Sequence, residues 1–343
     1  EEVQSFVGYG IGFQIISQPI QSFIKNILIL DSNLDDYGAK LISKHFVVFL
    51  FFFISSIFFY LILKKIIDIE DFCILGTVLY LTYPYLFGQS MFSPKDVPFM
   101  SVWLVCTYFS FVILEKIINE NNLRFKYIIF FSLCSAYLIS VRFAGILIFL
   151  QYFITFLIYL NLYQINLFKF VKKYTKHLII FLLFLFFFIF LLYPIFWIDP
   201  FLLIKTFEIN ASHFNNVGTT TLGEIMYAND LPVTYLLIWF AVKIPLIILL
   251  GIFLLPLTEK KIFSDKKKSI FFGSILLSVL LIIFILIFKK VHLYDELRQV
   301  MFLIPLIFII GLTSIFIFSK KFFYLLSFIS ILFFIIENIK INP

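Results

Sequence analysis

The sequence predicts an all-α, polytopic integral membrane protein with about ten transmembrane helices and an outer-face loop region, in a single domain over residues 1–343. Three observations carry this. Of 343 residues, 62% are hydrophobic and 14% charged, against about 25% charged in an ordinary soluble domain. Phe alone occurs 51 times, more apolar surface than a soluble chain of this length can hide. Lys and Arg stand in short clusters between long apolar runs. A cytosolic enzyme, a disordered chain and a nucleic-acid binder are excluded by this composition. The net charge of +7 then reflects topology rather than an acidic partner.

A membrane helix needs about 17–25 apolar residues. Such runs fall at 46–63, 73–90, 98–115, 127–141, 144–163, 178–196, 232–256, 270–288, 299–318 and 322–337. The 127–141 run is short, which suggests a half-span turning at Arg142. All are continuous and not alternating, so none reads as a strand. Cys73, Cys106 and Cys134 lie in or beside apolar runs without metal or redox spacing, and read as small core residues.

If the runs alternate across the bilayer, one set of loops holds Lys64 and Lys65; Lys116, Arg124 and Lys126; Lys169, Lys172, Lys173 and Lys176; Lys260, Lys261, Lys266, Lys267 and Lys268; and Lys320 and Lys321. The positive-inside rule makes these loops cytoplasmic. Residues 1–45, 91–97, the Arg142 turn, 197–231 and 289–298 then face outward. The outer loops carry the acids, the single Arg and His residues, Pro, Gly and Trp, so function is expected on that face.

Several outer groups carry chemistry. Glu1 and Glu2 beside a membrane surface suit a general base or metal ligands, or a solvated chain end. Asp36-Tyr37-Gly38 reads as a turn in a polar loop. In Ser93-Pro94-Lys95-Asp96-Val97-Pro98-Phe99, two prolines stiffen a Lys-Asp pair at a span mouth. The pair is a structural cap or a binder of phosphate or metal. Arg142 lies in an apolar run and needs an anionic partner, from a ligand or from an Asp or Glu of another helix. The segment from Tyr193 to Asp199 ends a span with aromatic residues suited to the interface. His213 is an acid/base group or an interfacial polar residue. His292, Asp295, Glu296 and Arg298 are dense for a membrane mouth, and the Arg fork matches phosphate oxygens.

Together these pieces resemble the GT-C class of polytopic glycosyltransferases (family 39), which includes protein O-mannosyltransferases and aminoarabinose transferases. Glu1-Glu2-Val3 with Phe6 resembles that family's Asp-Glu-Val signature. Ser93 to Phe99 is similar to Asn-Pro-Lys-Asp-Ile-Pro-Phe of bacterial members. Arg142 to Gly145 resembles Arg-x-x-Gly, and Tyr193 to Pro200 a Tyr-Pro-hydrophobic-Trp-x-Asp-Pro ending. Tyr294 to Gln299 resembles Tyr-Asp-Gly-hydrophobic-Arg-His/Gln. The departures are Glu1 for Asp and Ser93 for Asn.

The resemblance implies transfer of a sugar from a polyprenyl-phosphate donor to an acceptor protein or glycolipid, at the outer face of a bacterial inner membrane. Glu2, then Glu1, would serve as the base. Lys95, Asp96, Arg142, Tyr294, Asp295 and Arg298 would bind the donor phosphate, and Asp36, Tyr37 and His213 would face the acceptor. No cofactor is expected beyond a divalent cation, which stays open. One family helix is expected before Glu1 and a continuation after Pro343. Two other readings remain: a transporter or flippase of lipid-linked sugars, and a ligase or polymerase of surface polysaccharide.

Overall fold

The computed structural model describes residues 10–31, 35–119, 123–199, 201–202, 217–221, 223–228 and 230–341. In chain order the helices are α1 (Gly12–Asp31), α2 (Asp36–Ile66), α3 (Glu70–Thr82), α4 (Pro84–Ser90), α5 (Asp96–Asn119), α6 (Phe125–Val141), α7 (Ile148–Leu162) and α8 (Leu167–Leu192). There follow α9 (Tyr235–Lys243), α10 (Leu246–Ile262), α11 (Lys266–Phe288), α12 (Ile304–Phe318) and α13 (Lys320–Ile341). Tight 3₁₀ turns at Phe143–Leu147 and Arg298–Leu303 lead into α7 and α12. Among the described residues, seven helical segments are long and apolar enough to cross a membrane: α2, α5, Phe143–Leu162, α8, α11, Arg298–Phe318 and α13. The bent pair α9–α10 makes an eighth if it is one span. The fold is that of an all-helical membrane protein.

Two of the remaining runs differ from the sequence expectation, and proline is the reason. Run 73–90 breaks at Tyr83, whose ψ of 116° is not helical, because Pro84 disfavours the α region for the residue before it. Run 232–256 breaks in the same way at Ile244, before Pro245, and α9 and α10 are bent by 113°. Run 127–141 is the 17-residue α6, which does turn at an extended Arg142. Three helices also start earlier than their apolar runs, because polar N-caps accept the first free backbone amides. Asp35 accepts from Gly38 at 2.8 Å, Asn166 from Phe168 at 2.9 Å, and Asp265 from Lys268 at 2.8 Å. The expected turn at Asp36-Tyr37-Gly38 is therefore the first turn of α2.

Residues 1–45 and 197–231 are likewise not plain loops. The first holds α1, which is amphipathic: Gln14, Gln18, Gln21 and Lys25 share one face, while Ile16, Phe23 and Ile27 share another. The second holds a small antiparallel hairpin, β1 (Gly218–Thr221) with β2 (Glu224–Tyr227), in which Thr219 opposes Met226. Both are too short or too polar to register as apolar runs. All three cysteines are buried and free.

The chain divides into two compact units, residues 1–55, 90–149 and 163–213 in one, and 56–89, 150–162 and 214–343 in the other. In the first, α6 packs along α8 through Ala136, Ile139, Leu185, Leu192 and Tyr193. The Tyr193 hydroxyl donates to the Ile139 carbonyl at 2.9 Å. The outer surface of α8 is apolar, with Leu183 63% and Phe186 56% exposed. Water would not tolerate such a stripe, but lipid does.

In the second unit α12 is the hub. Its face is buried throughout, and Phe72 of α3 packs on Phe316 of α12 with ring centres 4.7 Å apart. Hydroxyls within both units bond back to their own helices, as Thr107 does to Trp103 and Ser278 to Ser274, which meets their need for a partner without water. At the α2–α3 corner, Tyr60 donates to Glu70 at 2.6 Å and holds that carboxyl below the usual carboxylate range.

Candidate functional site

Three helix ends meet at one end of the first unit. Lys95 and Asp96 stand where α5 begins, and Arg142 where α6 stops. The carboxylate of Asp96 is 7% exposed and pairs with the Arg142 guanidinium, itself 24% exposed. It also accepts from the Ser93 hydroxyl at 3.2 Å. A carboxylate at a helix start is favoured by the helix dipole, so Asp96 has three sources of stabilisation. The Arg142 guanidinium lies over the Phe99 ring at 5.6 Å from its centre. Of the two partners open to Arg142 in the sequence, the structure supplies the interhelical acid. Lys95 is exposed on the rim beside the pair.

The end of α8 joins the same group through the start of α1. The Ile11 amide donates to the Leu192 carbonyl at 2.9 Å. Gly12 lies against Ser140, where a Cβ would clash. Further along α1, Lys25 pairs with Asp36 at 2.5 Å. α1 thus runs from the ends of α6 and α8 to the start of α2. Elsewhere in the unit, His177 of α8 bonds the Leu123 carbonyl at 2.7 Å, and Lys116 sits over Tyr127 at 4.4 Å.

The second unit holds the Tyr294–Arg298 turn. Arg298 pairs with Asp295 at 2.8 Å and lies over the Tyr294 ring at 5.9 Å. Asp295 and Glu296 have φ of 55° and 60°, a left-handed conformation that costs a side-chain-bearing residue roughly 1–2 kcal/mol. Two contacts hold Glu296 there. Its amide donates to the Tyr235 hydroxyl at 3.1 Å, and its carboxylate pairs with Lys243 at 2.7 Å. His292 reaches the Ala228 carbonyl at 3.2 Å and so ties this loop to the β2 end. A cavity of about 310 Å³ opens beside it, lined by Asp230, Tyr235, Lys290 and Leu293 among others.

Lys243 is the functional candidate that the sequence reading missed. It stands at the α9–α10 break, with Trp239 at 5.4 Å and Tyr85 at 5.5 Å from its ammonium group. Tyr83 bonds its carbonyl. The signal was present: a lone cation inside an apolar run, read as significant at Arg142 and passed over here. Glu1, Glu2 and His213 lie outside the described residues. Asp36 is committed to Lys25, and Tyr37 is 72% exposed. Among the described residues no group of three or more His, Cys, Asp or Glu is arranged to hold a metal.

The strain at Glu296 makes a test of this turn. Glu296→Ala loses the Lys243 pair and keeps the unfavourable φ, whereas Glu296→Gly loses the pair and releases the strain. The glycine variant should be more stable than the alanine variant by about 1 kcal/mol, read as the difference in unfolding midpoint in detergent. Equal midpoints would show that the turn is not held in this conformation.

No family model, no curated protein and no solved structure matches this chain.

Proposed function

We infer that the chain is a membrane glycosyltransferase of the GT-C type, moving a sugar from a polyprenyl-phosphate donor to an acceptor at the outer face. The observation that carries this is the Asp96–Arg142 ion pair, nearly buried at a helix end, with the Lys95 cation exposed beside it. An apolar protein that retains a buried ion pair and a rim cation at a span mouth spends stability there, and such groups in membrane proteins mark ligand sites. The second support is Glu296. The resembled pattern has glycine at this position, and the backbone there has the left-handed φ that glycine favours.

The chemistry follows from charge. The acceptor oxygen or nitrogen attacks the anomeric carbon, and the bond from that carbon to the phosphate oxygen breaks. The leaving phosphate keeps the electron pair and gains negative charge, which the exposed Lys95 offsets. Arg142 acts by fixing Asp96 and the Pro94–Pro98 loop that presents Lys95. The acceptor's proton goes to a carboxylate, for which the resemblance supplies Glu2 and then Glu1. The site is proposed to face the periplasm of a bacterial inner membrane, with the Lys-rich loops in the cytosol.

The test uses the full-length protein in proteoliposomes with polyprenyl-phosphate sugar and follows single-sugar transfer. Glu2→Gln should lower kcat by about 10²–10⁴-fold, and Lys95→Ala should raise KM for the donor. Unchanged transfer by the double variant Glu1→Gln/Glu2→Gln sinks the reading. Movement of the donor across the bilayer without transfer would replace it with a flippase, and joining of long chains with a polysaccharide ligase.

A further inference from the structure

We propose that the Lys-rich end of the second unit holds a binding site for a phosphate-bearing anion, a phospholipid headgroup or free phosphate. The site is a cavity of about 440 Å³ lined by Lys261, Lys268 and Lys320 over a floor that includes Ile67, Ile69 and Phe316. The three lysines come from three elements: the last turn of α10, the first turn of α11 and the first residue of α13. Nothing in the transferase reading uses them, and the inference stands apart from it.

The charge at this cavity is not neutralised from within. Among the described residues, none of the three lysines is in an ion pair with a carboxylate. Two acids of the flanking segments are already engaged. Glu70 is bonded to Tyr60 at 2.6 Å and to Lys64 at 3.5 Å. Asp265 caps α11 by accepting from the Lys268 amide, and Asp68 is not among the lining residues. Two helices, α11 and α13, begin here, and a helix start adds fixed positive potential.

The floor decides between the two sources of phosphate. Ile67 and Phe316 are buried, while Phe318 on the rim is 47% exposed. A cationic mouth over apolar walls at the end of membrane helices suits an amphiphile that brings a phosphodiester and an acyl chain together. Basic pockets between helices on the cytoplasmic side take anionic lipid headgroups. Free phosphate would meet the same lysines and leave the floor unused.

The test is thermal unfolding of the full chain in neutral detergent, titrated with phosphatidylglycerol, with phosphatidylcholine or with inorganic phosphate. Phosphatidylglycerol should raise the midpoint by roughly 5 °C or more at saturation. Phosphatidylcholine should give no rise, and millimolar phosphate a small one. Lys261→Gln/Lys268→Gln/Lys320→Gln should lose the rise, and the control triple Lys169→Gln/Lys172→Gln/Lys173→Gln should keep it. If the first triple does not fold, Lys268→Gln alone should weaken the lipid dose response about tenfold, with Lys268→Arg restoring it. A phosphate rise equal to the lipid rise, lost in the same variants, assigns the site to the free anion. A lipid rise that survives in these variants overturns the proposal, as does a rise of equal size with phosphatidylcholine.

Discussion

Arg142→Met should destabilise the detergent-solubilised protein by about 3–5 kcal/mol, the usual penalty for breaking a buried ion pair from one side. The size follows from geometry. The substitution leaves the Asp96 carboxylate at 7% exposure without its guanidinium partner. Asp96→Asn should cost less, because the guanidinium left behind is 24% exposed and can turn toward water. The paired variant Asp96→Leu/Arg142→Met should recover at least half of the loss, since no orphaned charge remains. Unfolding midpoints of the three variants check the order. An additive result, with the paired variant as unstable as the sum, would mean that the two groups do not interact. The same paired variant separates stability from activity, because it should fold and fail to transfer sugar.

The second large effect is at a helix crossing. Gly251 of α10 lies directly on the backbone of Gly311 of α12, and a Cβ built there would strike the Gly311 carbonyl. A Cβ on Gly311 would come within 2.7 Å of the Ile248 carbonyl. Backbone cannot swing aside as a side chain can. In lipid, helices gain little from burying apolar area and much from close approach, which small residues permit. Gly251→Ala should therefore cost about 2–3 kcal/mol, the upper range for overpacking, and Gly251→Leu more. Gly273→Ala in α11 is the control of opposite sign. Its nearest neighbours are ordinary side-chain contacts at 3.4 and 3.5 Å, so better helix propensity should stabilise by roughly 0.5–1 kcal/mol. A loss of equal size at both positions would rule out the crossing as the cause.

Gly251 and Gly273 look alike in the sequence, each a lone glycine in an apolar run. Only the position of Gly311, far along the chain, distinguishes them. The candidate site shows the same division. That Arg142 needs an anion follows from hydropathy, since an unpaired cation in an apolar run is costly wherever the run folds. That the anion is Asp96 could not be read, because many carboxylates of this chain were equally eligible. Lys243 was open to the same argument as Arg142. By hydropathy alone its run reads as one span, and Pro245 is what breaks it.

The sequence by itself determined the class of protein, most of the helices and the division between basic and mixed loops. These depend on local composition and on the free energy of placing a residue in lipid, which are nearly additive along the chain. Tertiary structure decided the partners: Asp96 for Arg142, Glu296 for Lys243, Gly311 for Gly251. It also decided where Asp295 and Glu296 bear left-handed backbone. Partner choice depends on which surfaces meet, and contacts between residues distant in sequence are set by packing of whole helices. No local free energy encodes that packing.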